Sequence, residues 1–430
     1  QSNQDRSGLA ELGHAQSRDL MQWEQTPLVL TPGAPGAWDD LAIGSGSAVV
    51  RNGVCALLYS ATGSEGGENI GLATTTDWLT WQRHPVPVLQ PDPRLYDADT
   101  PWQDPFLRLD ESDGTVYCLA SAMSGGHPCV ALARSDDLLN WQCLPPAYVA
   151  KQGDRLELPE VFPWQGLRAL IFGRGAGGCE TRCLFSDTPL HFTEQDEGQL
   201  LLGGPGSLDC ALATAETPHG RGAVHVSVDH EPADEATRSG GLLALPKTLY
   251  GGPQRIRLTV RNDLYTAPVN CLDCETLVVD QMECWRTTDD GVAAISPGGR
   301  TFLPLPPKGN RTASALIAID GEGEGGYVIG SDEVIVALNN DGYVIARAPE
   351  IGYERRWKVA EPRGELSVIL LDRHVEVYYG REFFGSVAAP RAGQKTLALF
   401  CDGTLSIVFS GVAVKKFAHE QRYLSPAIVD

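Results

Sequence analysis

"SDDLLNW" (135–141) has two earlier copies, "TTDWLTW" (75–81) and "SRDLMQW" (17–23). In each, a hydroxyl residue is followed two positions later by Asp, and Trp comes four positions after that. The copies step along the chain by 58 and 60 residues. The stretches between them also correspond. "GSGSAVV" (44–50), "QDPFLRL" (103–109) and "LPEVFPW" (158–164) each open a strand. A glycine turn follows at Asn52-Gly53, Asp113-Gly114 and Gln165-Gly166. Next come the apolar strands "VCALLYSA" (54–61), "TVYCLASA" (115–122) and "LRALIFGR" (167–174). Third strands follow at "NIGLATTTD", "PCVALARSD" and "TRCLFSDT", and the Trp segment leads into the fourth.

A four-stranded antiparallel unit at this period is the signature of a β-propeller blade, with the first strand of each blade lining the channel. A further copy begins at "SLDCALATAE" (207–216). Residues 11–25 supply only the third and fourth strands of the first copy, so the first blade is expected to be incomplete. The predicted class is all-β: a five-bladed propeller over 1–250, then a β-sandwich over 265–430, with "LYGGPQR" (249–255) as the linker. Beyond residue 265, "EVIVALNNDGYVIARA" and "ELSVILLDRHVEVYYG" alternate with period two, and "NNDGY" reads as a type I′ hairpin turn.

Composition agrees with that architecture. The 430 residues suit two domains, and 47 glycines with 29 prolines imply many tight turns. The net charge of −21 disfavours nucleic acid and anionic membranes as partners. No apolar run approaches the ~20 residues of a membrane span. The chain opens on Gln1, which points to processing, trimming or a fragment. Cys55, Cys118, Cys129, Cys183 and Cys210 lie in strand-like runs and are expected as buried free thiols, and the Cys271/Cys274 pair as structural. Gly173, Gly175 and Gly178 match a dinucleotide fingerprint, but no helix pattern follows them, so no cofactor is called for. No histidine spacing suits a metal.

In "LELPEVFPW" (156–164), Glu157 and Glu160 interrupt an apolar strand. The starts of successive inner strands converge on one axis. That would gather Asp39 or Asp40, Asp104 and Glu157 around a pocket. Convergent carboxylates suit glycoside hydrolysis, which needs an acid of raised pKa and a second carboxylate. Trp38 and Trp102 flank the acidic segments and are the candidates for stacking on a sugar.

"LGHAQSRDLMQWEQTPLVLTP" (12–32), "DDLAIGSGSAVV" (39–50), "WQDPF" (102–106), "ELPEVFPW" (157–164), "LLALPKTLY" (242–250) and "DRHVEVYYG" (372–380) together resemble glycoside hydrolase family 32, the invertases, inulinases, levanases and fructosyltransferases. The resemblance runs in order over almost the whole chain. It implies a retaining β-fructofuranosidase acting on sucrose or fructans, with a fructosyltransferase or a non-catalytic fructan- or sucrose-binding relative as alternatives. Glu157-Leu158-Pro159 matches the family's Glu-Cys-Pro, which makes Glu157 the acid/base. Gln103-Asp104-Pro105 matches its Arg-Asp-Pro, which makes Asp104 the residue that grips the fructosyl hydroxyls and stabilises the transition state. The family's arginine is replaced by Gln103. The expected substrate contacts are Trp38, Asp39, Ser45, Trp102 and Gln103. Gly44 stands where the family has a phenylalanine, which implies a wider pocket. Glu160 falls on a following acidic position and is expected to orient its neighbours. The family nucleophile, in Asn-Asp-Pro-Asn-Gly, has no match. Asn3-Gln4-Asp5 is its nearest imitation, so the chain as written is expected to be inactive. The partner implied is a small carbohydrate, and the resemblance leans toward secretion.

Overall fold

The computed structural model describes residues 11–416, except 19, 21–22, 65, 98–99, 101, 152–154, 176–179, 194–197, 205–206, 219, 228–241, 261–283, 306–310, 332, 372–373 and 390–391. Asp5, Cys271 and Cys274 lie outside the described residues. Among those described there is no α-helix, only short 3₁₀ turns at Pro349–Ile351 and Ala392–Gln394. No described helix is long and apolar enough to cross a membrane. The chain is all-β. It divides into two compact units: residues 1–201, 210–215 and 251–256, and residues 202–209, 216–250 and 257–430.

In the first unit, β1 (Leu12–Ser17) and β2 (Trp23–Leu30) form a two-stranded sheet. Three four-stranded antiparallel sheets follow, each ordered as in the sequence: β3 (Ala42–Arg51), β4 (Val54–Thr62), β5 (Glu68–Thr75) and β6 (Gln82–Arg83); β7 (Gln103–Leu109), β8 (Val116–Ser124), β9 (His127–Ser135) and β10 (Gln142–Val149); β11 (Leu156–Trp164), β12 (Leu167–Arg174), β13 (Glu180–Ser186) and β14 (Gln199–Gly203). These are the repeats read from the sequence.

Their second strands are apolar on both faces because both faces are covered. On β8, Cys118 and Ala120 pack with Ile70, Leu72 and Trp102. Leu119 points the other way, among Leu170 and Phe172. On β4, Ala56 and Leu58 join the first of these cores, while Leu57 and Tyr59 pack with Leu30 and Ile43. Period-two alternation thus stacks sheet on sheet, as propeller blades do.

The repeated Asp–Trp segment forms the same turn in its two fully described copies. Asp77 Oδ1 accepts the N–H groups of Leu79 (2.9 Å) and Thr80 (2.7 Å), while Thr75 Oγ1 accepts those of Asp77 and Trp78. Asp137 and Ser135 repeat these bonds to Leu139, Asn140 and Leu138. The residue after the Asp position takes positive φ in each copy: Leu20 at 62°, Trp78 at 63° and Leu138 at 67°. Trp141 Nε1 then donates to Leu138 O and Trp23 Nε1 to Leu20 O. A left-handed residue costs roughly 1–2 kcal/mol, and the side-chain bonds to otherwise unpaired amides offset it. The amides of Thr80 and Leu79, with the Thr75 hydroxyl, lower the Asp77 carboxyl to about 2.

β14 and β15 (Asp209–Thr217) are each divided between the units; in the second unit, β16 (Gly220–Ser227) pairs with both β17 (Leu242–Leu243) and β18 (Lys247–Tyr250). β18 pairs with β19 (Arg257–Val260). The rest is one ten-stranded antiparallel sheet folded on itself as a sandwich: β20 (Trp285–Thr288), β21 (Gly291–Leu305), β22 (Arg311–Ile329), β23 (Val334–Asn339), β24 (Tyr343–Ala348), β25 (Tyr353–Lys358), β26 (Arg363–Leu370), β27 (His374–Tyr379), β28 (Glu382–Ala388) and β29 (Leu397–Lys416). β22 serves both layers. Residues 311–318 pair with β26, and residues 324–329 with β23. The bend between them falls at Gly321 and Gly323, with φ of 117° and 147°. A Cβ on Gly323 would lie 2.2 Å from Asp402 O.

Two local expectations need correction. Only Gly342 of the "NNDGY" turn has positive φ, at 75°. The turn is therefore a three-residue loop closed by a left-handed glycine, rather than type I′. Cys55, Cys118, Cys129 and Cys183 are buried free thiols, but Cys210 is half-buried.

Candidate active site

Every inner strand of the first unit breaks its ladder near its start. The register shifts between Ile43 and Gly46 on β3, Gln103 and Phe106 on β7, and Glu157 and Glu160 on β11. Asp104 (φ 53°) and Leu158 (49°) are left-handed at two of these breaks. Such bulges re-aim side chains and amides, and they persist where the surroundings hold them.

At this site the holding bonds run from one inner strand to the next. Ser47 Oγ accepts Leu107 N–H at 3.0 Å. Asp104 Oδ2 accepts Leu158 N–H at 3.1 Å. Glu160 Oε2 accepts Thr214 N–H at 2.9 Å, and Thr214 Oγ1 donates to Glu160 Oε1.

Asp104 is the centre of this girdle. Ser45 Oγ donates to its Oδ1, and Ser121 Oγ donates to its Oδ2 at 3.2 Å. Asp104 and Ser45 therefore meet, joined by the amide that follows Glu157. Both Asp104 and Ser45 are half-buried. Glu157 is half-buried too, its side chain 18% exposed, with Arg155 Nε 3.7 Å from Oε1. Glu160 is only 5% exposed, so the two glutamates of β11 occupy different environments. Gln103 is half-buried and pairs with Ser121 on β8.

Two expected substrate residues lie elsewhere. Trp102 is 1% exposed and meets Tyr96 edge-on at 4.9 Å. Its ring is core, with no face open to a sugar. Asp39 is also 1% exposed, ion-paired to Arg83 Nη1 at 2.8 Å and bonded by Tyr59 OH at 3.1 Å. Burial, then the charge of Asp39, raises the Tyr59 phenol well above its ordinary value. Asp39 is a buried strut. Asp40 accepts the N–H groups of Gly36 and Ser64, each at 2.6 Å, and their bonds lower its carboxyl. Trp38 is half-buried and stacked on Tyr59 at 5.8 Å. It also lies over Gly71, where a Cβ would come within 2.6 Å of the indole.

The space expected at Gly44 is filled. A Cβ there would lie 2.5 Å from Ser60 Oγ, and Ser60 is itself buried against the Ser45 carbonyl. A groove of ≈ 600 Å³ in the same unit is lined by Arg51, Val54, His84, Asp136 and Leu139, away from Asp104 and Glu157.

Sequence reasoning missed Ser121 and Thr214. The signal for Ser121 was present in the repeat itself: "YSA" (59–61) and "ASA" (120–122) end equivalent strands, and both serines, Ser60 and Ser121, turn toward the inner strand. Thr214 had no such marker.

Four-stranded antiparallel sheets with bonded carboxylates at the starts of their inner strands make a propeller-like arrangement. Residues 1–192 match the family model for the glycosyl hydrolases family 32 N-terminal domain. A levanase of Bacillus sp. (strain L7) is 30% identical over 178 residues, 35% of this chain and 18% of that protein. The Escherichia coli sucrose-6-phosphate hydrolase is 33% identical over 218 residues, 44% of each chain. The alignments thus span less than half the length of these curated relatives. Among solved structures, fructan 1-exohydrolase IIa of Cichorium intybus, in complex with 1-kestose, superposes with a TM-score of 0.74 at 14% identity, over 97% of this chain and 92% of that one. The Bombyx mori family 32 β-fructofuranosidase superposes at 0.69 with 19% identity, over 94% and 84%.

Proposed function

We propose that the chain carries a retaining β-fructofuranosidase-type site that acts on the fructosyl bond of sucrose or a fructan. The observation that carries this reading is the bond between Asp104 and the amide following Glu157. It ties the carboxylate that matches the family's stabilising aspartate to the backbone of the candidate acid. Glu157 donates a proton to the leaving oxygen, then as base takes one from the incoming water. Asp104 lies beside the oxocarbenium-like sugar while Ser45, Ser121 and Leu158 fix its position. Gln103, Ser45 and the edge of Trp38 complete the proposed substrate contacts. In this reading β15 to β19 complete a fifth blade, and the sandwich begins beyond it.

A retaining reaction needs a second carboxyl group about 5–5.5 Å from the acid. Asp39 and Asp40 are both engaged in the struts described above. The family's Asn-Asp-Pro-Asn-Gly motif does not occur in the 430 residues. That favours a second reading for this polypeptide by itself: a fructan- or sucrose-binding relative without turnover. Calorimetric titration with sucrose and 1-kestose, beside a fructose-release assay, separates the two. Binding that Asp104→Asn abolishes supports the site under either reading, and turnover decides between them. No binding and no release would remove both.

A further inference from the structure

The two glutamates of β11 are held in opposite ways. Each oxygen of Glu160 accepts a bond from Thr214, one from its N–H at 2.9 Å and one from its hydroxyl. Donors on both oxygens favour the ionised form of a carboxyl group that is 5% exposed. Glu157 stands three residues earlier, across the bulge, and keeps part of its side chain in solvent. The charged groups shown near it include Arg155 on its own strand and Asp104 on β7, whose carboxylate binds the next amide. A cation such as Arg155 favours an ionised carboxyl group, whereas an acid catalyst has to hold its proton.

We propose that Glu160, kept as a fixed anion by Thr214, is the positioning residue that keeps Glu157 protonated. Its negative charge on the same strand opposes a second one. Its bonds to Thr214 also anchor the far side of the bulge, as Leu158 N–H on Asp104 anchors the near side. A buried carboxylate inside a strand is costly unless hydrogen-bonded, and the electrostatic setting of Glu157 is what that cost maintains. The importance of the coupling rests on reading Glu157 as the acid, but the coupling itself does not.

The test is a ¹³C-carboxyl NMR titration of the intact chain labelled at glutamate, with the Glu157 signal assigned by its loss in Glu157→Gln. Glu160→Gln is expected to lower the Glu157 midpoint by roughly one pH unit, the scale on which loss of a nearby like charge acts. Thr214→Val shifts it in the same direction, and Thr214→Ser restores it. Where Glu160→Gln fails to fold, Thr214→Val decides. An unchanged or raised midpoint in the folded variants overturns the proposal. The titration needs no turnover, so an inactive protein would contradict the proposed hydrolysis and leave this result standing. In an active form, the basic limb of kcat/KM moves down with the midpoint. A merely structural Glu160 would lower kcat and leave that limb in place.

Discussion

Leu158 donates its backbone N–H to Asp104 Oδ2 at 3.1 Å, so the residue after the candidate acid is fastened to the candidate transition-state stabiliser. Leu158 reaches it because its φ is 49°, and Asp104 presents itself from a φ of 53°. Two left-handed residues on neighbouring inner strands thereby tie two candidate site segments together by one bond.

Asp104→Asn tests that bond. Three donors converge on the carboxylate, from Ser45, Ser121 and Leu158. An asparagine amide would face one of them with a donor of its own. The expected loss is about 1–3 kcal/mol of stability, with sugar binding lost as well. Urea unfolding and calorimetric titration read the two effects. Unchanged stability would mean that the girdle does not hold the strands.

A second prediction concerns the buried polar cluster of the second unit. Lys247 Nζ sits 2.8 Å from Glu376 Oε1, 2.6 Å from Leu245 O and 4.6 Å from the Phe383 ring centroid. Tyr378 OH donates to Glu376 Oε2 at 2.5 Å. Both charges are fully buried. Lys247→Met strands the carboxylate and should cost about 3–5 kcal/mol, and adding Glu376→Leu should recover most of that. Unfolding midpoints of the single and double variants check this. Additive losses would contradict it.

The same cluster sets a pH dependence. Burial pushes the Asp209 and Glu376 carboxyls up, but His225 and Ser386 on the first, and Lys247 and His374 on the second, more than offset it and hold both below their ordinary 3.8 and 4.5. Burial lowers His225 below its ordinary 6.5, despite Asp209. The unfolded imidazole therefore takes a proton below pH 6.5 that the folded one refuses, and the carboxylates do the same below about pH 4.5. Stability should fall continuously from pH 6.5 toward pH 4. His225→Gln should flatten the upper part of that fall. A thermal midpoint that rises on acidification would refute the assignment.

Gly44 gives a packing test. Gly44→Ala puts a Cβ 2.5 Å from Ser60 Oγ and should cost about 1–3 kcal/mol by overpacking. Ser60→Ala in the same chain should recover it. If Gly44→Ala is neutral by itself, Ser60 does not fill the space.

The repeat was legible because its cause is local. Ser135 and Asp137 bond amides within a few residues, so the pattern and the turn are one object. The central pair was legible for a similar reason: equivalent positions on successive inner strands converge whatever the side chains. Trp102 was misplaced because its burial is decided by Tyr96 and by the sheet packed over it, not by its adjacency to Asp104. Asp39 and Asp40 are neighbours in sequence with different duties. Arg83 and Tyr59, distant along the chain, bury the first, while Ser64 binds the second in a loop. Thr214 escaped notice because a threonine in an apolar strand carries no mark of the carboxylate it meets.

Retaining cleavage through Glu157 is tested most directly by fructose release from sucrose. The assay compares the 430-residue polypeptide with the same chain carrying a family-type Asn-Asp-Pro-Asn-Gly strand ahead of residue 11. The extended chain should release fructose and the shorter one should not. In the extended chain, Glu157→Gln should lower turnover by about 10²–10⁴-fold, and Glu160→Gln by far less. Equal losses in the two variants, or full activity without the added strand, would contradict Glu157 as the acid or require a different nucleophile.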